Sequence, residues 1–160
     1  MFVLQAERIN AGGHARMNPT KARLLIVDDN NCMREILREM MHDLGIVQID
    51  EASDGRAALM MFQNNAYDVV LSDWNMPFLS GLELLRAIRS SGVRSETAVV
   101  LLSSEMTAKR SVEALEAGVN GVLEKPFKMA KLCEKVSRII SALAPVTQSR
   151  NERLMGAQVV

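Results

Sequence analysis

Residues 23–45 read "RLLIVDDNNCMREILREMMHDLG", and this stretch decides the fold. Its first five residues after Arg23 run Leu24-Leu25-Ile26-Val27 into a carboxylate, Asp28. A strand that is apolar on both faces belongs in a covered, parallel sheet. Next come Met33, Ile36, Leu37, Met40, Met41 and Leu44, at offsets 0, 3, 4, 7, 8 and 11. Those offsets make one stripe of an amphipathic helix over 31–44. Gly45 is a suitable stop.

The same unit recurs along the chain. Strands are predicted over 46–52, 67–73, 97–103 and 119–124, with helices over 55–65, 81–91, 105–117 and 128–143. Five strand–helix units with right-handed crossovers give a doubly wound α/β sandwich. For five strands the expected parallel order is 2-1-3-4-5, the flavodoxin-like arrangement. One domain is expected over 21–143, with a mobile N-terminal extension over 1–20 and a mobile tail over 144–160. Met17 is a plausible second start, which would make the first 16 residues leader sequence.

Composition narrows the function. The chain has 160 residues, 48% hydrophobic and 24% charged, which suits one globular domain. Its 19 basic and 19 acidic residues cancel, so no global field draws it to nucleic acid or to a membrane. Apolar runs are strand-sized, and the N-terminus has no signal-peptide pattern. Cys32 and Cys133 have neither zinc nor CxxC spacing. The expectation is a reduced, cytoplasmic monomer. Cys32 reads as a small packing residue, the methionines as core, and His14, His42, Lys109-Arg110, Lys128 and Lys131 as solvated.

In a doubly wound sheet, ligands sit beyond the carboxyl ends of the strands. Four polar positions fall there. Strand 1 ends at Asp28-Asp29, strand 3 at Asp73, strand 4 at Ser103, and strand 5 just before Lys125. Two like charges ~5 Å apart at an effective dielectric of ~20 cost roughly 3 kcal/mol. Three carboxylates in one crevice therefore take up a proton or a cation. Hard oxygen donors partly in a loop suit Mg²⁺. Asp73 beside a metal and Lys125 is placed to act as a nucleophile toward a phosphoryl group, with Ser103 donating a hydrogen bond to it.

The ordered pieces "LLIVDDNNCMREIL", "EASDGRAAL", "VLSDWNMPFLSGLELL", "VLLSSE" and "GVLEKPF" resemble the response-regulator receiver domain over about 22–143. "DWNMP" followed by "GLELL" is most similar to the single-domain chemotaxis (CheY-like) type. The resemblance implies that Asp73 is the phosphoacceptor. It implies that Asp29, Asp73 and the backbone carbonyl of Asn75 bind Mg²⁺, with Asp28 acting through a metal-bound water. Ser103 and Lys125 would contact the phosphoryl group, and Pro126 would follow a cis bond. Asn75 and Glu105 occupy the positions that modulate turnover. The donor would be a histidine kinase or a histidine phosphotransfer protein. An output protein would dock on helix 4, strand 5 and helix 5. The family's switch aromatic is replaced by Val122, which puts that output face in question. Ser80 stands where an acidic residue is common and reads as a helix N-cap.

Other functions compete. One alternative is a receiver that drains phosphoryl groups from a relay without driving an output. A haloacid-dehalogenase-type phosphatase needs a second Asp two residues after its nucleophile. Asn75 stands there and supplies no general acid. A flavodoxin-like cofactor binder needs a phosphate-cradling first loop. Here that loop is Asp28-Asp29-Asn30-Asn31, which repels an anion. Trp74 admits two readings, surface packing or a contact that gates the site or a partner.

Overall fold

The computed structural model describes residues 17–143. The expectations for 1–16 and 144–160, His14 included, lie outside the described residues. Five parallel strands form one sheet: β1 (Arg23–Val27), β2 (Gln48–Ala52), β3 (Val69–Asp73), β4 (Ala98–Ser103) and β5 (Gly121–Glu124). Their order is β2-β1-β3-β4-β5, the predicted topology. The helices are α1 (Asn31–Asp43), α2 (Gly55–Asn64), α3 (Gly81–Ser90), α4 (Ala108–Glu116) and α5 (Met129–Ala142).

Alternation along the strands sorts the core into two layers. Leu24, Ile26, Val69, Leu71 and Val100 pack with Leu37 and Met41 of α1 and with Leu132, Val136 and Ile140 of α5. Their neighbours Leu25, Val27, Val70, Val99 and Leu101 face Ala58 and Phe62 of α2, Leu85 and Ile88 of α3, and Ala114 of α4. The central strands are buried throughout, which is why they read as unbroken apolar runs.

Three details depart from the sequence reading. Met17 is buried in the α1/α5 layer, and Pro19–Lys21 form a 3-10 turn, with the Asn18 side chain accepting from the Thr20 N–H. Residues 17–20 thus belong to the folded body and not to a mobile extension. Helix α4 begins at Ala108 instead of residue 105, because the Thr107 side chain caps the Arg110 N–H and ends the preceding loop. Cys32 is exposed on the first turn of α1 and packs in no core. Most methionines among the described residues do line the core, although Met60 and Met129 lie exposed.

Candidate phosphoryl-transfer site

Each strand end delivers one part of the site. Beyond β1, Asp28 is buried and its Oδ1 accepts from the Asn30 N–H at 2.8 Å. That bond is an Asx turn, and it aims the other oxygen, Oδ2, into the crevice. Asn30 then caps α1 by accepting from the Met33 N–H. Asp29, next in the chain, is exposed at the rim. At the end of β3, Asp73 is buried. It is held by the register of β3 against β4 and by the Trp74 N–H, which donates to the Leu102 carbonyl at 2.7 Å. The backbone of Asp73 also lies against Gly81, where a β-carbon would overlap the Asp73 carbonyl. The loop out of β3 is closed by a capping box at Ser80 and Glu83, so Ser80 is the N-cap of α3.

Lys125 follows β5, and the Lys125–Pro126 peptide bond is cis. Its Nζ donates to Asp73 Oδ1 at 2.8 Å and to Asp28 Oδ2 at 3.3 Å. Carboxylate oxygens of Asp28, Asp29 and Asp73 lie within 4.8 Å of one another. One ammonium faces three carboxylates, which leaves a net negative crevice. The titration behaviour follows from that imbalance. Burial pushes the Asp73 carboxyl above its ordinary range; Lys125 opposes this, while Asp28 and Asp29 reinforce it. Burial alone would lower Lys125, but the bonds and charges of Asp73 and Asp28 outweigh it and hold the ammonium above its usual value. Lys125 is satisfied by two acids, whereas Asp73 shares one base among three. Such a set of hard oxygen donors, undercompensated by one cation, is compatible with Mg²⁺.

Ser103, at the end of β4, is fully buried. Its Oγ donates to the Glu105 carbonyl at 2.7 Å and accepts from the Glu105 N–H at 3.2 Å. Asn75 and Glu105 are exposed at the rim. Val122 is half-buried against the α2/α3/α4 layer.

Two arginines escaped the sequence reading. Arg34 of α1 donates to the Asp28 carbonyl at 2.7 Å and pairs with Glu51 at 3.3 Å, bracing the first acidic loop. Arg110, expected on a solvated face, instead reaches back to the site. Its Nη1 donates to Ser103 Oγ at 2.9 Å and to the Glu105 carbonyl at 3.0 Å, and its Nη2 to Asn75 Oδ1 at 3.1 Å. The guanidinium lies 5.1 Å from the centre of the Trp74 ring, which is itself buried rather than on the surface. The Thr107 cap was the available signal. It puts Arg110 in the first turn of α4, where side chains lean toward the helix N-terminus.

A model of the response regulator receiver domain matches residues 24–137. The chain belongs to the receiver domain family. Within it, this receiver is 40% identical over 121 residues to the chemotaxis protein CheY-3 of Vibrio cholerae, covering 76% of this chain and 93% of that protein. Its fold superimposes on the chemotaxis response regulator CheY4 of Vibrio cholerae with a TM-score of 0.68 at 31% identity, over 74% of this chain and 98% of CheY4. It also matches the receiver domain of a sensor histidine kinase from Pseudomonas aeruginosa PAO1, at TM-score 0.69 and 28% identity, over 76% of this chain and 98% of that one. That structure holds a magnesium ion coordinated in its active-site cleft. Receivers of this type are signalling switches, and this one is CheY-like. No helix among the described residues is long and apolar enough to cross a membrane.

Proposed function

We propose that this receiver is a phosphorylation-controlled switch in chemotaxis signalling, with Asp73 as the phosphoacceptor. The observation that carries the reading is the Lys125 ammonium bridging Asp73 and Asp28 within a triad of carboxylates at the carboxyl end of the sheet. Asp29, Asp73 and the Asn75 carbonyl would hold Mg²⁺, with Asp28 in reach of a metal-bound water. When bound, the ion balances charge on the transferring phosphoryl oxygens.

The chain's own residues do the rest. An Asp73 carboxylate oxygen attacks phosphorus, and the P–N bond of a donor phosphohistidine breaks, with the imidazole leaving. The donor is a histidine kinase or a histidine phosphotransfer protein. Lys125, already 2.8 Å from Asp73, is positioned to pair with the arriving phosphoryl oxygens. Asn75 offers no transferable proton, which separates a phosphoryl switch from a phosphatase that turns over external substrates. With Glu105 it lines the rim through which a hydrolytic water enters. Output is by docking of a partner on α4, β5 and α5, a face that exposes Val112 and Leu115. The protein acts in the cytoplasm, as a switch and not as an enzyme with an external substrate.

The test is labelling of the intact protein by a small acyl or amido phosphate, read as a phosphoryl mass increment. The expected outcome is labelling that requires Mg²⁺ and is absent in Asp73→Asn. Unlabelled wild-type protein under those conditions, or labelling retained by Asp73→Asn, refutes the assignment.

A further inference from the structure

We infer that Arg110 is a positioning residue, a latch that holds the unphosphorylated site shut by occupying Ser103 and Asn75 together. The inference rests on Asp73 being the phosphoacceptor. A serine hydroxyl has one proton to give and two lone pairs. In Ser103 all three are in use: the proton on the Glu105 carbonyl, and the lone pairs on the Glu105 N–H and on Arg110 Nη1. The hydroxyl therefore cannot donate to a phosphoryl group on Asp73 as it stands. To do so it must leave the Glu105 carbonyl, and its rotation removes the acceptor from Arg110.

Arg110 ties that local event to two other parts of the molecule. Its second nitrogen holds Asn75 Oδ1, two residues beyond Asp73, so the guanidinium spans the rim from the end of β4 to the loop after β3. Its flat face lies over Trp74, whose backbone N–H is fixed to the Leu102 carbonyl of β4. The residue is rooted in the first turn of α4, directly after the Thr107 cap. A cation there opposes the helix macrodipole. Its three hydrogen bonds and the aromatic contact are what keep it in place. When Ser103 turns toward a phosphoryl group, Nη1 loses its bond to Ser103 and keeps only the Glu105 carbonyl, so the hold on Asn75 and Trp74 loosens and the first turn of α4 with it. Arg110 thereby couples the chemical state of Asp73 to the helix that leads away from the site.

A latch on one state opposes the other, so removing it favours the phosphorylated form. The experiment is titration of the full chain with beryllofluoride in Mg²⁺, a mimic of the phosphoryl group, read by Trp74 fluorescence and by amide NMR shifts in α4. The proteins are wild type, Asp73→Asn, Arg110→Met, Arg110→Lys, Ser103→Ala and the Arg110→Met/Ser103→Ala pair. Methionine keeps an apolar stem against Trp74 and removes the donors. The expected result is beryllofluoride binding about three- to tenfold tighter in Arg110→Met, the factor for losing one net hydrogen bond from the unliganded state alone. Arg110→Lys, with one donor head for three acceptors, falls between wild type and Arg110→Met. In the Ser103→Ala background the same Arg110 change should move affinity by less than about twofold, because the latched partner is already gone. Equal or weaker binding by both Arg110 variants, with wild-type urea midpoints, overturns the latch. So does a full Arg110 effect without the Ser103 hydroxyl. Failure of wild type to bind beryllofluoride, or undiminished binding by Asp73→Asn, overturns the phosphoacceptor assignment itself and the latch with it.

Discussion

Replacing Asp73 by asparagine should stabilise the metal-free protein yet remove most of its stabilisation by magnesium. The three carboxylates lie within 4.8 Å of one another. At an effective dielectric of ~20, each repulsion on an ionised Asp73 costs about 3 kcal/mol, less where exposed Asp29 is screened by solvent. Lys125, at 2.8 Å, returns about 6 kcal/mol by the same reckoning. Attraction and repulsion nearly cancel, and burial then decides against the ionised form. That is the direction in which the Asp73 carboxyl is shifted. For an acid held above its ordinary value in the folded state, the stabilising contribution exists when it is protonated and is lost as pH rises through the folded-state value. Above that value the wild type has lost it. Asparagine keeps an oxygen to accept from Lys125 and drops the charge, so it should be the more stable protein in EDTA. Magnesium at 100 times its dissociation constant should add about 2.7 kcal/mol to wild type. Asp73→Asn, one carboxylate short, should gain less than about 1 kcal/mol at that concentration. Urea unfolding followed by circular dichroism, in EDTA and in Mg²⁺, measures all four values. An Asp73→Asn protein less stable than wild type in EDTA would refute the charge balance argued for the crevice.

Two further predictions address the scaffold. Tyr67, the chain's single tyrosine, donates its hydroxyl to Asp50 Oδ2 at 2.7 Å, and burial together with that carboxylate pushes its pKa to about 12 from an ordinary 10.0. Phenolate absorbance of the folded protein should rise with a midpoint near that value, stability should fall as pH climbs through it, and Asp50→Asn should lower the midpoint; titration at the ordinary tyrosine value would contradict the contact. Gly81→Ala should destabilise by about 1–3 kcal/mol and weaken Mg²⁺ binding, because the new β-carbon meets the Asp73 carbonyl and sits 3.1 Å from a Leu101 methyl; a loss under about 0.5 kcal/mol would show that the β3–α3 loop yields freely.

The fold was legible because two periodicities alternate without conflict along the chain. Leu24 to Val27 and Ala98 to Leu102 are apolar at every position, and only a sheet covered on both faces buries them all. The boundaries were less legible for a physical reason. Ile46 and Val119 extend their strands in sequence, yet both have left the ladder: each donates its N–H back to the helix before it, to Met41 and Ala114. Apolarity marks what is buried, and pairing marks what is strand. Met17 shows the same distinction, since a methionine beside a Pro19 turn carries no periodic signal, yet it is buried in the layer with α1 and α5. Asp28, Asp73, Ser103 and Lys125 could be found because strand ends in a parallel sheet converge by topology, so chain order was enough to bring them together.

Arg110 was hidden by a two-step dependence that chain order does not resolve. Its placement requires first knowing where α4 begins. With a helix from residue 105, Arg110 sits in the second turn and reads as a charge on a solvated face. With the cap at Thr107, the same residue is in the first turn and leans toward the strand ends. A three-residue shift in one boundary thus moves a side chain from solvent to the rim of the site. Ser103 explains why the later boundary wins. Its hydroxyl, bonded to both the carbonyl and the N–H of Glu105, locks residues 103–105 in a non-helical turn and postpones the first helical residue. The hydroxyl proposed to turn when Asp73 is phosphorylated is therefore also the group that fixes where α4 starts and where Arg110 points. On that arrangement, movement of Ser103 alters the helix and its arginine together.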